Sequence, residues 1–501
     1  MNRTELERAL RDRSATERGP LEASAVLPRA PDRRVAVAYP SPYRAGMSSL
    51  GFQRITALLR QGGVAAERCF LPDDVDAQRR SRLPPLAVET LTPLGQFPLI
   101  AVSFAYEAEL VGLFDLLDLA GIPLLRTERT ADHPRILLGG PISMASPAFL
   151  APFVDALLLG EAEDTVVDGV QAAFDRDREG WLDRIEALPG GWVPERGRPI
   201  PPIAKASDEH LPARSAWLAP QAELSDMFLV EGERGCHRMC TFCVMRRTTN
   251  GGMRLVTPER VLGLVPDEAR KVGLVGAAIS DHPQLVGLLE TLVDSGRQVS
   301  VSSLRADRIA RRPDIARLLR QSGARTLTTA SDGATEALRK TLTKGTSREH
   351  LLACAEQARE LRYDTLKLYM MLGVPGETDG DVDTLAEELK ALAAAARPSR
   401  LALGVAAFVA KRATPLDGEP FAGIKVVEKR IERLRKAVRG ACEVRPVSVR
   451  WAWIEHALAQ GGPEAGLAML AGWRAGGRFA DYRRALEAVP EQSQRPWAAA
   501  G

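Results

Sequence analysis

A chain of 501 residues has room for roughly two to four domains. With 45% apolar and 26% charged residues it has the composition of an ordinary globular protein, not of a disordered, collagenous or membrane-filling one. Its 67 Lys and Arg stand against 64 Asp and Glu, a net charge of +3, so nothing in the charge calls for a nucleic-acid partner.

Residues 1–30 read as a lead-in that ends near Pro28 and Pro31. The segment is polar and charge-rich with no apolar centre, and so is not a signal peptide. Over 31–165 short apolar runs alternate with helical patterns. Arg34–Tyr39, Leu99–Ser103, Arg135–Gly139 and Ala156–Gly160 suit buried parallel strands, with helices over Ser48–Arg60 and Glu107–Ala120 between them. The alternation predicts a Rossmann-like open parallel sheet, whose ligands bind at the carboxyl ends of the strands. Residues 166–226, rich in Pro, Gly and charge, read as a linker.

A second alternation fills 227–425. Strands are expected at Met227–Val230, Gly273–Ala278, Gln298–Ser302, Arg325–Ala330, Thr365–Leu372 and Leu401–Val409, with helices such as Thr257–Lys271 and Thr378–Ala395. Six βα units make a partial (β/α)6 barrel, with the active site at the strand carboxyl ends. The fold class is therefore α/β, followed by a C-terminal helical region over 426–501. The aromatics Trp451 and Trp453 with His456 read there as packing against the barrel mouth, or more sharply as substrate contacts. The longest apolar stretch, Leu401–Ala410, is too short to span a bilayer.

The chemistry is concentrated directly after the first of the six barrel strands. Cys236, Cys240 and Cys243 form a CxxxCxxC loop with Phe242 before the last cysteine. Three thiolates hold three irons of a [4Fe–4S] cluster and leave the fourth open, whereas a structural or electron-transfer cluster normally takes four cysteines. A zinc site would want a fourth Cys or His at finger-like spacing, and His237 lies inside the loop, where its reach is poor. Cys69, Cys354 and Cys442 are isolated, so neither a second cluster nor a disulfide framework is expected. Free thiols and an open cluster point to a reducing, cytoplasmic setting.

The loop resembles that of the radical S-adenosylmethionine (SAM) family, in which the amino and carboxylate groups of SAM chelate the open iron. Residues 227–415 resemble its catalytic domain and 31–165 the cobalamin-binding domain that precedes it in many members. The resemblance implies SAM contacts at Phe242, at the strand-three end (Ser303 and Arg305), at the strand-four end (Ser331 and Arg339, with Asp332 at the usual acidic position), and at the strand-five turn Gly373, Pro375, Gly376 and Glu377. The strand-two motif that holds the SAM amino group is degenerate, reading Gly276–Asp281. Each of these polar residues also reads as a helix cap or surface ion pair.

The cobalamin signature, DxHxxG then SxL then GG, is altered. Ser41, Tyr43 and Gly46 stand at the first motif, Ser103 at the second, and Gly139 and Gly140 at the third, with Gly160 and Glu161 at the fourth strand end. Tyr43 replaces the histidine that ligates cobalt. The implied function is a cobalamin-dependent radical SAM methyl transfer to an unactivated carbon, served by an external low-potential electron donor. The alternatives are a corrinoid-free rearrangement, cyclisation or C–C bond reaction beside a vestigial cobalamin domain, and a non-catalytic iron–sulfur redox sensor or binding protein. Methylthiotransferase chemistry would need a second three-cysteine set near the N-terminus, where only Cys69 stands. The substrate is not readable.

Overall fold

The strand β1 (Arg34–Pro42) buries Val35, Ala36, Val37 and Ala38 in succession. Such a run has no solvent face, as a parallel strand covered on both sides requires. It pairs in parallel with β2 (Ala65–Leu71) on one side and β3 (Leu99–Ser103) on the other. β4 (Arg135–Gly139) and β5 (Ala156–Leu158) continue the parallel ladder, and β6 (Gly191–Trp192) ends it antiparallel. The order β2-β1-β3-β4-β5-β6 reverses direction between β1 and β3, and the crevice beyond their carboxyl ends is the ligand position of such sheets.

This computed structural model describes residues 2–245, 252–302 and 304–490. It divides into two units, one running to Phe228 and resuming at Gly461, the other Leu229–Gln460. Residues 166–226, expected as a linker, belong to the first. They carry the helices Val166–Asp175 and Arg178–Ala187 as well as β6, and bury Ala216, Trp217, Ala219 and Ala222 in that unit's core. The expected C-terminal helical region is also divided. The helices Ile424–Ala437 and Val449–Gln460 belong to the second unit, while Pro463–Arg474 and Phe479–Glu487 return to the first, where Trp473 Nε1 donates to Asp115 at 3.0 Å.

β2 was not among the expected strands, because Glu67 and Arg68 interrupt its apolar pattern. Both are buried and paired. Arg34 donates to Glu67 at 2.7 Å, while Arg68 donates to Glu17 and Glu89, each at 2.7 Å, and stacks 4.6 Å above the Trp217 ring.

β7 (Met227–Glu231) leads from the first unit into the second, which contains the hairpin β8 (Glu233–Gly235) with β9 (Met253–Leu255), β10 (Lys271–Val275) and β11 (Gln298–Val301), then β12 (Thr326–Asp332), β13 (Thr365–Leu372), β14 (Arg400–Ala407) and β15 (Cys442–Pro446). The strands form two sheets, β11-β10-β7 and β12-β13-β14-β15. Among the described residues no ladder joins β11 to β12 and no barrel closes. Side chains span the gap instead: Ser322 Oγ donates to Val299 O at 3.3 Å and Thr329 Oγ1 to Leu304 O at 2.8 Å. β15, expected as helix, is an edge strand whose outward Glu443 and Arg445 pair with each other. No helix among the described residues is long and apolar enough to cross a membrane.

Candidate functional site

The chain leaves β7, turns through Gly232 into β8, and enters the cysteine loop at Gly235. Gly235 has φ +101°, which side chains rarely adopt, so the exit from the strand requires this glycine. The loop is tied by backbone. Cys243 N donates to Cys240 O at 3.2 Å and Thr241 N to Leu342 O at 3.1 Å. The Cys240 thiol lies 3.8 Å from Thr343 O, and Arg238 N lies 3.4 Å from Cys236 Sγ. Cys240 is buried, and Cys236 and Cys243 are half-buried. Burial pushes the Cys236 and Cys243 thiols above their ordinary value, and the Lys344 ammonium partly opposes this at Cys243. Of the other cysteines, Cys69 and Cys354 are fully buried, and Cys442 is at the start of β15.

Among the described residues no group of three or more His, Cys, Asp or Glu side chains is arranged to hold one metal ion. A cuboidal cluster asks for a different arrangement, one thiolate to each of three irons, and the spaced thiols of a single tethered loop are the right donor set for it.

Asp281, beyond the end of β10, braces the loop. Arg238 donates to it through Nε and Nη2, both at 2.7 Å, Arg308 Nε also donates to it, and His237 Nε2 lies 3.6 Å away. Burial alone would raise the Asp281 carboxyl, but Arg238 and Arg308 outweigh it and hold the group below the usual range. The residues between Cys236 and Cys240 are thereby clamped to β10's end. In the sequence Asp281 stands only within the degenerate Gly276–Asp281 motif, and its role emerges from partners 43 and 27 residues away.

The strand-five turn is built as a braced loop. Gly373 and Gly376 have φ +83° and +80°. The buried Glu377 carboxylate accepts from Gly373 N and from Arg430 Nη1, each at 2.8 Å. A Cβ at Gly376 would meet nothing within 4 Å, so this part of the turn is open. Glu377 is thus the turn's internal brace. Pro375 lies within the turn, Phe242 packs beside the β12–β14 core, and Ser331 is 2% exposed. Asp332, at φ +61°, pairs with Lys344.

Two expected SAM contacts are turned elsewhere. Arg339 is wholly buried and donates to Thr346 O at 2.9 Å, Gly333 O at 3.3 Å and Glu388 at 3.2 Å. Arg305, 8% exposed, donates to Asp307 Oδ1 at 2.9 Å and Lys344 O at 2.7 Å. Both guanidiniums are internal staples, committed to protein partners. Ser303 lies outside the described residues.

In the first unit the residues expected to line a corrinoid slot do not fit one. Glu109, 4% exposed, fills the crevice at the β1/β3 reversal, accepting from Ser41 Oγ at 3.2 Å and from Ala105 N at 2.6 Å. Burial pushes its carboxyl up to about 7. Gly112, on the helix Glu109–Leu119, packs so closely that a Cβ would lie 2.0 Å from Pro40 O. Tyr43 is 2% exposed, its hydroxyl donating to Glu17, and burial drives its phenol far above the ordinary value. Gly46 lies under Phe70, with room for a Cβ only 2.5 Å from its ring. Gly140 abuts the Phe104 backbone and Gly160 the Ala204 backbone, at 2.6 and 2.4 Å from a built Cβ. Glu161 accepts from Ala206 N at 2.9 Å, while Ser103 and Gly139 pair across β3 and β4. These glycines admit neighbouring chain, and Glu109 occupies the β1/β3 end of the crevice.

Comparison with known proteins agrees with this architecture. The family described as "Radical SAM proteins, N-terminal" matches residues 51–194, and "Radical SAM superfamily" matches 231–389. The uncharacterized protein MJ0966 of Methanocaldococcus jannaschii is 24% identical over 418 residues, spanning 80% of this chain and 84% of that one. Among solved structures, the cobalamin-dependent SAM radical enzyme OxsB aligns with TM-score 0.50 at 15% identity, over 73% of this chain. This chain spans about half of OxsB's length, 52%. SuiB of Streptococcus suis, solved bound to SAM, overlaps less, with TM-score 0.32 at 13% identity over 42% of this chain and 48% of that one.

Proposed function

Since the chain belongs to the radical SAM superfamily, we propose that it is a corrinoid-free radical enzyme acting on an unactivated carbon of its substrate, by rearrangement, cyclisation or C–C bond chemistry. The radical SAM part of this reading is carried by the tethered loop of Cys236, Cys240 and Cys243, whose three thiols are the donor set for a cluster with one open iron, and its corrinoid-free part by Glu109, buried at the β1/β3 reversal and bonded to Ser41 and Ala105. When bound, the cluster and SAM supply one-electron cleavage of SAM to a carbon radical that takes a hydrogen atom from the substrate. The chain's own residues hold and shield that site. Asp281 clamps Arg238 and fixes the first half of the loop. Lys344, near Cys243 and paired with Asp332, places positive charge beside the thiolates. The open face of the Gly373–Glu377 turn, braced by Glu377 and Arg430, suits the flat edge of an adenine. An external low-potential donor supplies the electron, in a reducing cytoplasmic setting.

A second reading is cobalamin-dependent methyl transfer. It is supported by the likeness to OxsB and by the sheet order of the first unit. It requires Glu109 to leave its bonds to Ser41 and Ala105 and the helix at Gly112 to part from Pro40.

The test is anaerobic reconstitution with iron and sulfide, followed by iron and cobalt analysis and mass spectrometry of SAM products with a strong reductant. The proposal expects about four irons, 5′-deoxyadenosine, and no cobalt after expression with corrinoid supplied. Stoichiometric cobalt favours methyl transfer. A fully loaded protein that neither binds nor cleaves SAM favours an iron–sulfur sensor.

A further inference from the structure

Glu233 is 1% exposed, yet only one of its oxygens is satisfied. Oε1 accepts from Ala278 N at 2.7 Å, while Oε2 is sealed from solvent with no hydrogen-bond partner among the described residues. Gly276 makes the space for it, since a Cβ there would lie 2.3 Å from Oε1 and 2.8 Å from Cδ. Gly276 is held in turn by Ser302, whose Oγ accepts from Gly276 N at 3.0 Å and donates to Gly276 O at 2.9 Å. The neighbouring acids have cations of their own: Glu231 is paired by Arg234 at 2.8 Å and Asp281 by Arg238 at 2.7 Å. No ion pair reaches Glu233 among the described residues. Glu233 opens the strand β8, which runs directly into the cysteine loop at Cys236.

A buried carboxylate oxygen without a donor is a standing destabilisation, which an incoming N–H relieves. We propose that Glu233 is a positioning residue for SAM, its Oε2 accepting a hydrogen bond from the ligand's α-amino group. The inference rests on the radical SAM reading. It assigns the amino-group contact to a side chain on β8, where the Gly276–Asp281 segment lacks the usual motif. An amino group bound to the open iron would keep N–H bonds in need of an acceptor, and the unpartnered Oε2, on the strand that leads into the cysteine loop, would supply one.

The test compares reconstituted wild type, Glu233→Gln and Gly276→Ala, measuring iron content and, by equilibrium dialysis, the affinity for SAM and for a SAM analogue lacking the α-amino group. Glu233→Gln is expected to take up iron like wild type, to lose about tenfold or more in SAM affinity, and to bind the amino-free analogue within about twofold of wild type, the loss expected for one charge-assisted hydrogen bond. Gly276→Ala keeps the acid but displaces it, and is expected to show the same selective loss. It decides the matter if Glu233→Gln takes up no iron. Unchanged SAM affinity overturns the proposal, as does equal weakening of both ligands or loss of iron in both variants, since Glu233 is then a scaffold of the loop. Wild type that takes up iron but binds no SAM overturns the radical SAM reading itself.

Discussion

Gly140 separates a glycine kept for a ligand from one kept for packing. It has φ +110° and ψ −175°, and a Cβ there would lie 2.6 Å from Phe104 O and 2.9 Å from Phe104 N. Those atoms are fixed, since Phe104 N donates to Gly139 O at 2.9 Å and Phe104 O accepts from Ile142 N at 3.2 Å. Gly140→Ala therefore incurs about 1–3 kcal/mol of backbone strain and about 1–3 kcal/mol of overpacking. A loss of roughly 2–6 kcal/mol is a large part of the ~5–15 kcal/mol that holds a typical protein folded. Gly63→Ala is the control, because Gly63 has φ +77° with nothing within 4 Å of a built Cβ. It carries the strain alone, ~1–2 kcal/mol. Urea unfolding of corrinoid-free protein, followed by circular dichroism, should show Gly140→Ala weaker than Gly63→Ala by ~1 kcal/mol or more. Equal loss in the two variants would mean that Phe104 does not press on this position and that the glycine pair is free for a cofactor.

Alanine at Cys236, Cys240 or Cys243 should abolish iron uptake, while alanine at Cys69, Cys354 or Cys442 should leave the iron content of the reconstituted protein unchanged. Arg339→Ala leaves Glu388 buried without its partner and should lower stability by about 3–5 kcal/mol, with much of the loss recovered when Glu388→Ala is added, as a denaturation double-mutant cycle will read. Glu109 binds its proton up to about pH 7 in the folded chain, whereas the unfolded chain releases it near its ordinary value. Its contribution is therefore full below that ordinary value and is lost as pH rises towards 7, on the order of 3 kcal/mol in all. Glu109→Gln, which keeps the bond from Ala105, should flatten this slope in the stability-versus-pH curve.

The cysteine loop was legible from the sequence because its chemistry is local: eight residues carry all three thiols, and Gly235 sets the exit from the strand. The strands with unbroken apolar runs, such as Val35–Ala38 and Leu99–Val102, were legible for the same reason, since burial on both faces writes itself into consecutive residues. β2 and β15 were not, because Glu67, Arg68, Glu443 and Arg445 break the pattern, the first two neutralised by partners distant in the chain and the last two by each other. A polar side chain's use depends on what the fold brings to it. Arg339 meets Glu388 from 49 residues away, Glu109 meets Ser41 from 68, and Glu233 meets Ala278 from 45. Sequence determined the donor set and the alternation of strands and helices. Tertiary structure decided which acids and arginines became staples, and set Glu109 at the β1/β3 reversal where a corrinoid was expected. Hydrogen bonds and close packing act over a few ångströms in space, whatever the separation along the chain.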